Sequence, residues 1–304
     1  VAHHAVFDGV SWRIVLADLA TAYAQATASR PVDLGTRTTS FRDWAIRLAS
    51  HAAAGGFADE LDHWRAVRTT GIPVDHPEPD RPHAPKSSVL VDLDVEDTAA
   101  LLRAAPAAYR ARINDVLLTA LARAVTRWTG ESDVSVDLEG HGRSELFDDV
   151  DVSRTVGWFT TVYPVALDVP PDGTPWRQVV RAVRRRLRAV PNDGLGFGAL
   201  RYLTRDLPDI SAPIAFNYLG QWDGAAGGAD DGLFRAVHSS IGQEHDPDTP
   251  DTHLLEVVGG VQDGRLTFSW FYRPDRHDEL TIRTVADDFA AALRAIAADC
   301  RRPK

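Results

Sequence analysis

Two strings in this 304-residue sequence combine residue types able to move a proton. The first, His3-His4-Ala5-Val6-Phe7-Asp8-Gly9-Val10-Ser11-Trp12, sets a histidine doublet at the end of a short apolar run and follows it with Asp-Gly at a turn. An imidazole changes charge near neutral pH, so a histidine held by backbone geometry suits general-base work. Gly9 is expected to relieve the turn. Adjacent histidines on an extended segment point to opposite faces, which leaves a single metal ion poorly placed to use both, and no metal site is expected. The second string is Glu139-Gly140-His141-Gly142-Arg143. Its glycines permit close approach of the backbone to a ligand, and Glu139 becomes an acid or base near neutrality if burial raises its pKa. On spacing alone the plainer alternatives are a satisfied surface histidine and a turn with a solvated glutamate. Arg181, Arg184, Arg185, Arg186 and Arg188 are read as the wet face of a helix.

Elements must hold these strings in place. Val1 to Phe7 is expected to end a strand, and Ser11 to cap an amphipathic helix with Trp12, Val15, Leu16, Leu19 and Tyr23 on a buried stripe. Ser40-Phe41-Arg42-Asp43 approximates a capping box before Trp44, Ala45 and Leu48, and a third helical segment covers about Phe57 to Val67. Five prolines between Gly71 and Ser88 mark a linker between two lobes. Beyond it the pattern predicts a strand over Val89 to Asp94, helices over Asp97 to Ala105 and Asn114 to Thr129, and a strand over Asp133 to Glu139. In that strand Val134, Val136 and Leu138 alternate with Ser135, Asp137 and Glu139, so Glu139 projects opposite the apolar face. A helix over Thr174 to Val190, a strand over Ile214 to Leu219 and a flexible Gly/Asp loop over Asp223 to Gly232 follow. Asp263-Gly264 joins two strands, Leu254 to Val261 and Arg265 to Tyr272, in a hairpin, and a helix over Leu280 to Ala298 closes the chain. Helices and strands mixed without a regular repeat point to an α/β protein of two layered lobes.

Composition narrows the function. With 44% hydrophobic and 25% charged residues the chain is an ordinary globular one. Its formal charge of −10 disfavours nonspecific attraction to nucleic acid or anionic lipid, and no apolar run approaches a membrane span. Cys300, the single cysteine, rules out an intrachain disulfide and suits a reducing cytoplasm as an inert surface thiol. There is no methionine and the first residue is Val1, which reads as a chain cut from something longer.

The HHxxxDGxSW string at His3 to Trp12 resembles the signature of the condensation-domain superfamily of nonribosomal peptide synthetases. Asn114-Asp115-Val116-Leu117-Leu118, Glu139 to Arg143, Thr155-Val156-Gly157-Trp158-Phe159-Thr160, Gly194-Leu195-Gly196-Phe197-Gly198 and Phe216-Asn217-Tyr218-Leu219-Gly220-Gln221 are similar, in order, to motifs of its epimerization branch. The resemblance implies a two-lobed chloramphenicol-acetyltransferase-like α/β fold with an active-site tunnel between the lobes. It implies that residues 1–78 are the remainder of a first lobe whose upstream part is missing, and that residues 79–304 are the C-terminal lobe. It places His4 and Glu139 on opposite walls as the catalytic pair. His3, Asp8, Gly9, Arg143 and Trp158 are implied as supporting residues, with Asn217 and Tyr218 in the polar lining. The implied reaction inverts the α-carbon of an aminoacyl or peptidyl thioester carried on the phosphopantetheine of a partner peptidyl carrier domain, with no cofactor bound to this chain. Phe197 stands where the family usually has tyrosine. A condensation domain forming a peptide bond with the same His4, and an inactive docking fragment, are the alternatives; Glu139 separates the first from epimerization.

Overall fold

The computed structural model describes residues 2–77, 85–221 and 251–301. Period-two alternation builds one mixed sheet from β1 (Ser87–Asp92), β2 (Asp133–Gly140), β3 (Thr161–Asp168), β4 (Ile214–Gln221), β5 (Leu255–Gln262) and β6 (Arg265–Tyr272), in the order β1-β6-β5-β4-β2-β3. β2, β4 and β5 are parallel, while β1, β6 and β3 pair antiparallel to their neighbours. The helices are α1 (Gly9–Thr27), α2 (Phe41–Ala53), α3 (Leu61–Arg65), α4 (Val95–Ala99), α5 (Ala105–Tyr109), α6 (Ile113–Thr129), α7 (Trp176–Arg188), α8 (Leu195–Gly198) and α9 (Glu279–Arg301).

One face of the sheet makes the main core. Val136 and Leu138 of β2, Ile214 and Phe216 of β4, and Phe268 and Trp270 of β6 are buried in one cluster with α6 and α9. Phe289 of α9 meets Phe268 edge-on at 4.9 Å and Trp270 at 5.6 Å. Helix α6 is buried without a break from Asp115 to Thr126, so it lies inside the layer and not on its surface. Its start is held by Asp115, whose Oδ2 accepts the Arg112 N–H at 2.7 Å. A second cluster joins Trp44, Phe57 and Trp64 to Phe159, Leu195 and Phe197, packing the α2–α3 segment against the loop that follows β2 and against α8.

Most of the expected elements form, and the exceptions have physical reasons. The Ser40 cap is present, its hydroxyl accepting the Asp43 N–H at 3.1 Å. Asp263 and Gly264 both adopt positive φ, 49° and 71°, the conformation a two-residue hairpin of matching twist requires. The expected strand at Val1–Phe7 is instead a single 3-10 turn, His4–Val6, because His3 Nδ1 accepts the Ala5 N–H at 3.0 Å and folds the chain back on itself. Asp8, not Ser11, caps α1. The expected stripe is also displaced: Ser11 and Ile14 are the buried residues of α1, while Trp12, Leu19 and Tyr23 are exposed. The segment Phe57–Val67 divides into a 3-10 turn, Ala58–Glu60, and the short α3. The helix expected over Asp97–Ala105 begins at Val95, passes through a π-helical stretch, Ala100–Ala104, and continues to Tyr109.

Strand β3 has no counterpart among the expected elements, and it carries Pro164 in its interior. The proline is tolerated because β3 is the edge of the sheet, where one side of the backbone makes no ladder bonds. Of the proline-rich stretch, residues 71–77 are irregular and residues 78–84 lie outside the described residues, as does the expected Gly/Asp loop over 223–232. On α7, Arg181, Arg185, Arg186 and Arg188 are exposed as expected, but Arg184 is half-buried and donates to the carbonyls of Tyr109 and Arg110 at the end of α5. Cys300 is half-buried against the main core and not a free surface thiol. Among the described residues no helix is long and apolar enough to cross a membrane.

Candidate active site

A buried ion pair fixes the turn that carries His4. Arg143 Nη1 donates to Asp8 Oδ2 at 2.6 Å and Nη2 to Oδ1 at 3.1 Å, a two-pronged geometry that a guanidinium supplies and an ammonium does not. Asp8 also accepts the Ser11 N–H at 2.8 Å and the Phe159 N–H at 3.1 Å. Burial pushes the Asp8 carboxyl up, but the bonds from Arg143, Ser11 and Phe159 outweigh it and hold the group below the ordinary aspartate range. Arg143 reaches further, donating to the Thr155 carbonyl at 3.0 Å and lying 4.2 Å from the centre of the Phe159 ring. Ser11 completes the joint. Its oxygen accepts the Gly157 N–H at 3.0 Å, and its proton can go to Asp8 Oδ1 at 2.8 Å or the Gly157 carbonyl at 3.0 Å. Arg13 adds a tie from α1 to the end of β4, donating to the Leu219 carbonyl at 3.2 Å.

These ties bring the N-terminal turn against the loops after β2 and before β3. His3 is exposed and its Nδ1 caps the turn, so it orients its neighbour. The His4 ring is exposed and meets the ring of Trp158 edge-on, with centroids 5.1 Å apart. Trp158 alternates with buried Gly157 and Phe159, which turns its indole outward toward His4. Gly9 does not behave as expected. It is the first residue of α1, is absent from the positive-φ glycines, and a Cβ there would meet no atom within 4 Å, so the turn makes no demand for glycine.

Glu139 stands at the end of β2 on the face opposite Leu138, as the alternation predicts. It keeps solvent contact while protein surrounds it, and Asn217 Nδ2 of β4 donates to its Oε2 at 2.6 Å. Burial pushes the Glu139 carboxyl above the usual glutamate range. The charge of His4 pulls it down, Glu256 pushes it up, and His253 pulls it down, with burial prevailing. The charge of His4 therefore reaches Glu139. Tyr218, next to Asn217 on β4, packs against the main core, and burial raises its phenol. Phe197 belongs to the second cluster, its ring 5.1 Å from that of Trp64.

Glycine is required just after Glu139. Gly142 has φ +65°, and a Cβ there would fall 1.6 Å from the Phe159 carbonyl oxygen. Gly173, at φ +86°, has nothing within 4 Å of the same position. Left-handed backbone costs an L-residue about 1–2 kcal/mol in either place, and the forced shift of Phe159 adds about 1–3 kcal/mol at Gly142 alone. Gly142→Ala is thus expected to lower the midpoint of denaturant unfolding well below that of Gly173→Ala; equal losses would remove the packing role.

An imidazole and a carboxyl whose pKa burial raises are both open to solvent here, and both are residue types able to take and return protons. Among the described residues no group of three or more His, Cys, Asp or Glu side chains is placed to hold a metal ion. Sequence reasoning read Ser11 only as a helix cap and missed its place in the joint with Asp8 and Gly157, although it is the serine of the HHxxxDGxSW string. It also passed over Asp137, His253 and Glu256, which belong to no motif.

The mixed six-stranded sheet and the joined motif strings define a condensation domain with the chloramphenicol-acetyltransferase-like fold, and the chain belongs to the condensation domain family, which matches residues 1–304. It is 43% identical over 314 residues to a linear gramicidin synthase of Brevibacillus parabrevis, covering 100% of this chain and 6% of that protein. It is 43% identical over 310 residues to chondramide synthase of Chondromyces crocatus, covering 99% of this chain and 8% of that protein. The chain therefore spans only a small part of the length of either relative. The crystal structure of the epimerization domain from the third module of tyrocidine synthetase B superposes with a TM-score of 0.86 at 35% identity, covering 98% of this chain and 68% of that one. The X-domain from teicoplanin biosynthesis shares the fold at a TM-score of 0.70 and 22% identity, covering 99% of this chain and 69% of that one.

Proposed function

We propose that the chain inverts the α-carbon of an aminoacyl or peptidyl group held as a thioester on the phosphopantetheine arm of a peptidyl carrier domain. The observation that carries this reading is Glu139. It is a carboxyl of raised pKa that the charge of His4 reaches, and peptide-bond formation needs no second acid/base group. Similarity to the epimerization domain of tyrocidine synthetase B supports it. A thioester acidifies the α-proton, so proton transfer there needs a placed base and a placed acid. Inversion requires removal on one face and return on the other. His4, presented by the turn before α1, and Glu139, presented by β2, serve as those two groups, each working in both directions. Asp8, Ser11 and Arg143 hold the two walls at a fixed separation, Trp158 orients His4, and Asn217 orients Glu139. Carrier and neighbouring synthetase domains are the partners this reading requires.

Chiral analysis tests it. Carrier-bound aminoacyl groups supplied as either pure epimer are expected to reach the same L/D mixture, without an acceptor. A substrate that keeps its configuration from both sides, and forms a peptide once an acceptor carrier is added, would establish condensation instead.

A further inference from the structure

Two ionisable side chains, His253 just before β5 and Glu256 within it, lie near Glu139 but outside the His4–Asn217 set. Asp137 and Glu139 share the face of β2 opposite the core, about 7 Å apart along the strand. Asp137 is buried and fixed by the Ala212 N–H at 3.1 Å and the Ser211 hydroxyl at 3.2 Å. His253, two residues before β5, brings Nε2 to 2.8 Å from Asp137 Oδ2, and its Nδ1 lies 2.9 Å from Thr252 Oγ1. In the ladder Asp137 pairs with Ala215 and Ala215 with Glu256, so Glu256 stands on the same face, two strands or about 10 Å across. Lys86 holds it there, 2.7 Å from Glu256 and 2.8 Å from Asp251. Glu256 is thus about 12 Å from Glu139 on the diagonal, close to one screening length at 0.1 M salt, and partial burial weakens the screening.

We propose that His253 and Glu256 are positioning residues of opposite sign for Glu139: His253, anchored by Asp137, draws it toward the carboxylate, and Glu256, anchored by Lys86, draws it toward the acid. The proposal rests on the reading of Glu139 as a proton-transfer group, and it gives that group two opposed controls that neither touch the reacting atoms nor belong to a family motif. Burial favours the neutral form of Glu139, and His4, His253 and Glu256 are the charges that act on it. The remaining neighbours leave these two as the adjustable ones. Asn217 of β4 is neutral, Arg143 on the loop after β2 is committed to Asp8, and Tyr218 of β4 and Tyr163 of β3 pack against the core. His141 on that same loop accepts the Arg143 N–H through Nδ1.

The test is a ¹³C-carboxyl NMR titration of Glu139 in the full chain, its resonance assigned by its loss in Glu139→Gln, alongside the pH profile of epimer interconversion. His253→Gln is expected to move the Glu139 midpoint up and Glu256→Gln to move it down. Each changes the carboxylate-to-acid ratio about threefold or more at a given pH, and the pH-rate limb owed to Glu139 follows in the same sense. Both variants leave their anchors partnered, since Asp137 keeps Ala212 and Ser211 and Lys86 keeps Asp251. A structural effect alone has no reason to give opposite signs. Midpoints that stay put, or move together, overturn the proposal even where the wild type interconverts epimers. Opposite shifts in a chain without that activity uphold the charge pair and remove the function it was read to serve.

Discussion

Glu139→Gln is expected to abolish interconversion of the epimers while leaving the fold intact. A positioned acid/base group contributes about 10²–10⁴-fold in rate, so the residual activity should fall by at least about a hundredfold, and His4→Ala should do the same from the other wall. The amide keeps an oxygen for Asn217 to bond but cannot exchange a proton. The stability effect has a defined sign. Burial raises the Glu139 carboxyl in the folded state, so its favourable contribution is present below the unfolded value of about 4.3 and is lost as pH rises through the folded pKa. Glutamine is neutral throughout. At pH 8 Glu139→Gln should therefore unfold no more easily than the wild type, and any advantage should shrink as the medium is acidified. Chiral analysis beside denaturant unfolding separates lost chemistry from lost structure, and a wild-type rate in Glu139→Gln would remove Glu139 from the pair.

Asp8→Ala should be strongly damaging to stability. Asp8 is 2% exposed and the Arg143 side chain 6%, so the substitution strands a buried guanidinium and leaves the N–H groups of Ser11 and Phe159 without their acceptor. Removing one partner of such a pair costs about 3–5 kcal/mol, a large part of the roughly 5–15 kcal/mol that stabilises a domain. Asp8→Asn should cost less, since it keeps an acceptor for Ser11. The penalty is also pH-dependent. Asp8 has a depressed folded pKa, so its contribution is full above the unfolded aspartate value of about 3.9 and is lost as pH falls through the folded one. Urea unfolding at pH 7 and again in acid measures both. A loss under about 1 kcal/mol at pH 7 would show that the turn carrying His4 is held by something else.

How much of this was legible in the sequence depended on the range of the interaction involved. Helix α6, the Asp263-Gly264 hairpin and the outward direction of Glu139 follow from periodicity and turn chemistry, which act over a few residues. The motif strings marked both ends of the Asp8–Arg143 pair, although their separation of 135 residues hides the contact itself. The stripe on α1 failed because amphipathic spacing says which residues share a face and not whether anything covers it. Strand β3 was hidden because a proline is acceptable at an edge, and edge position is a property of the whole sheet. Asp137 and His253, 116 residues apart, could not be paired by spacing. Each reads alone as an ordinary polar residue, and only the parallel register of β2, β4 and β5 brings His253 to Asp137, two residues from Glu139.

The central claim, that His4 and Glu139 remove and return one proton at an α-carbon, is tested most directly by following that proton. An α-deuterated L-aminoacyl group on the carrier domain, incubated with the chain in ordinary water and no acceptor, is read by mass spectrometry with the His4→Ala variant as control. Deuterium should disappear from the carrier-bound group as the D epimer accumulates, and it should persist in the control. Retention of the label in the wild type, with a dipeptide formed once an acceptor carrier is supplied, would contradict the account and leave peptide-bond formation as the activity.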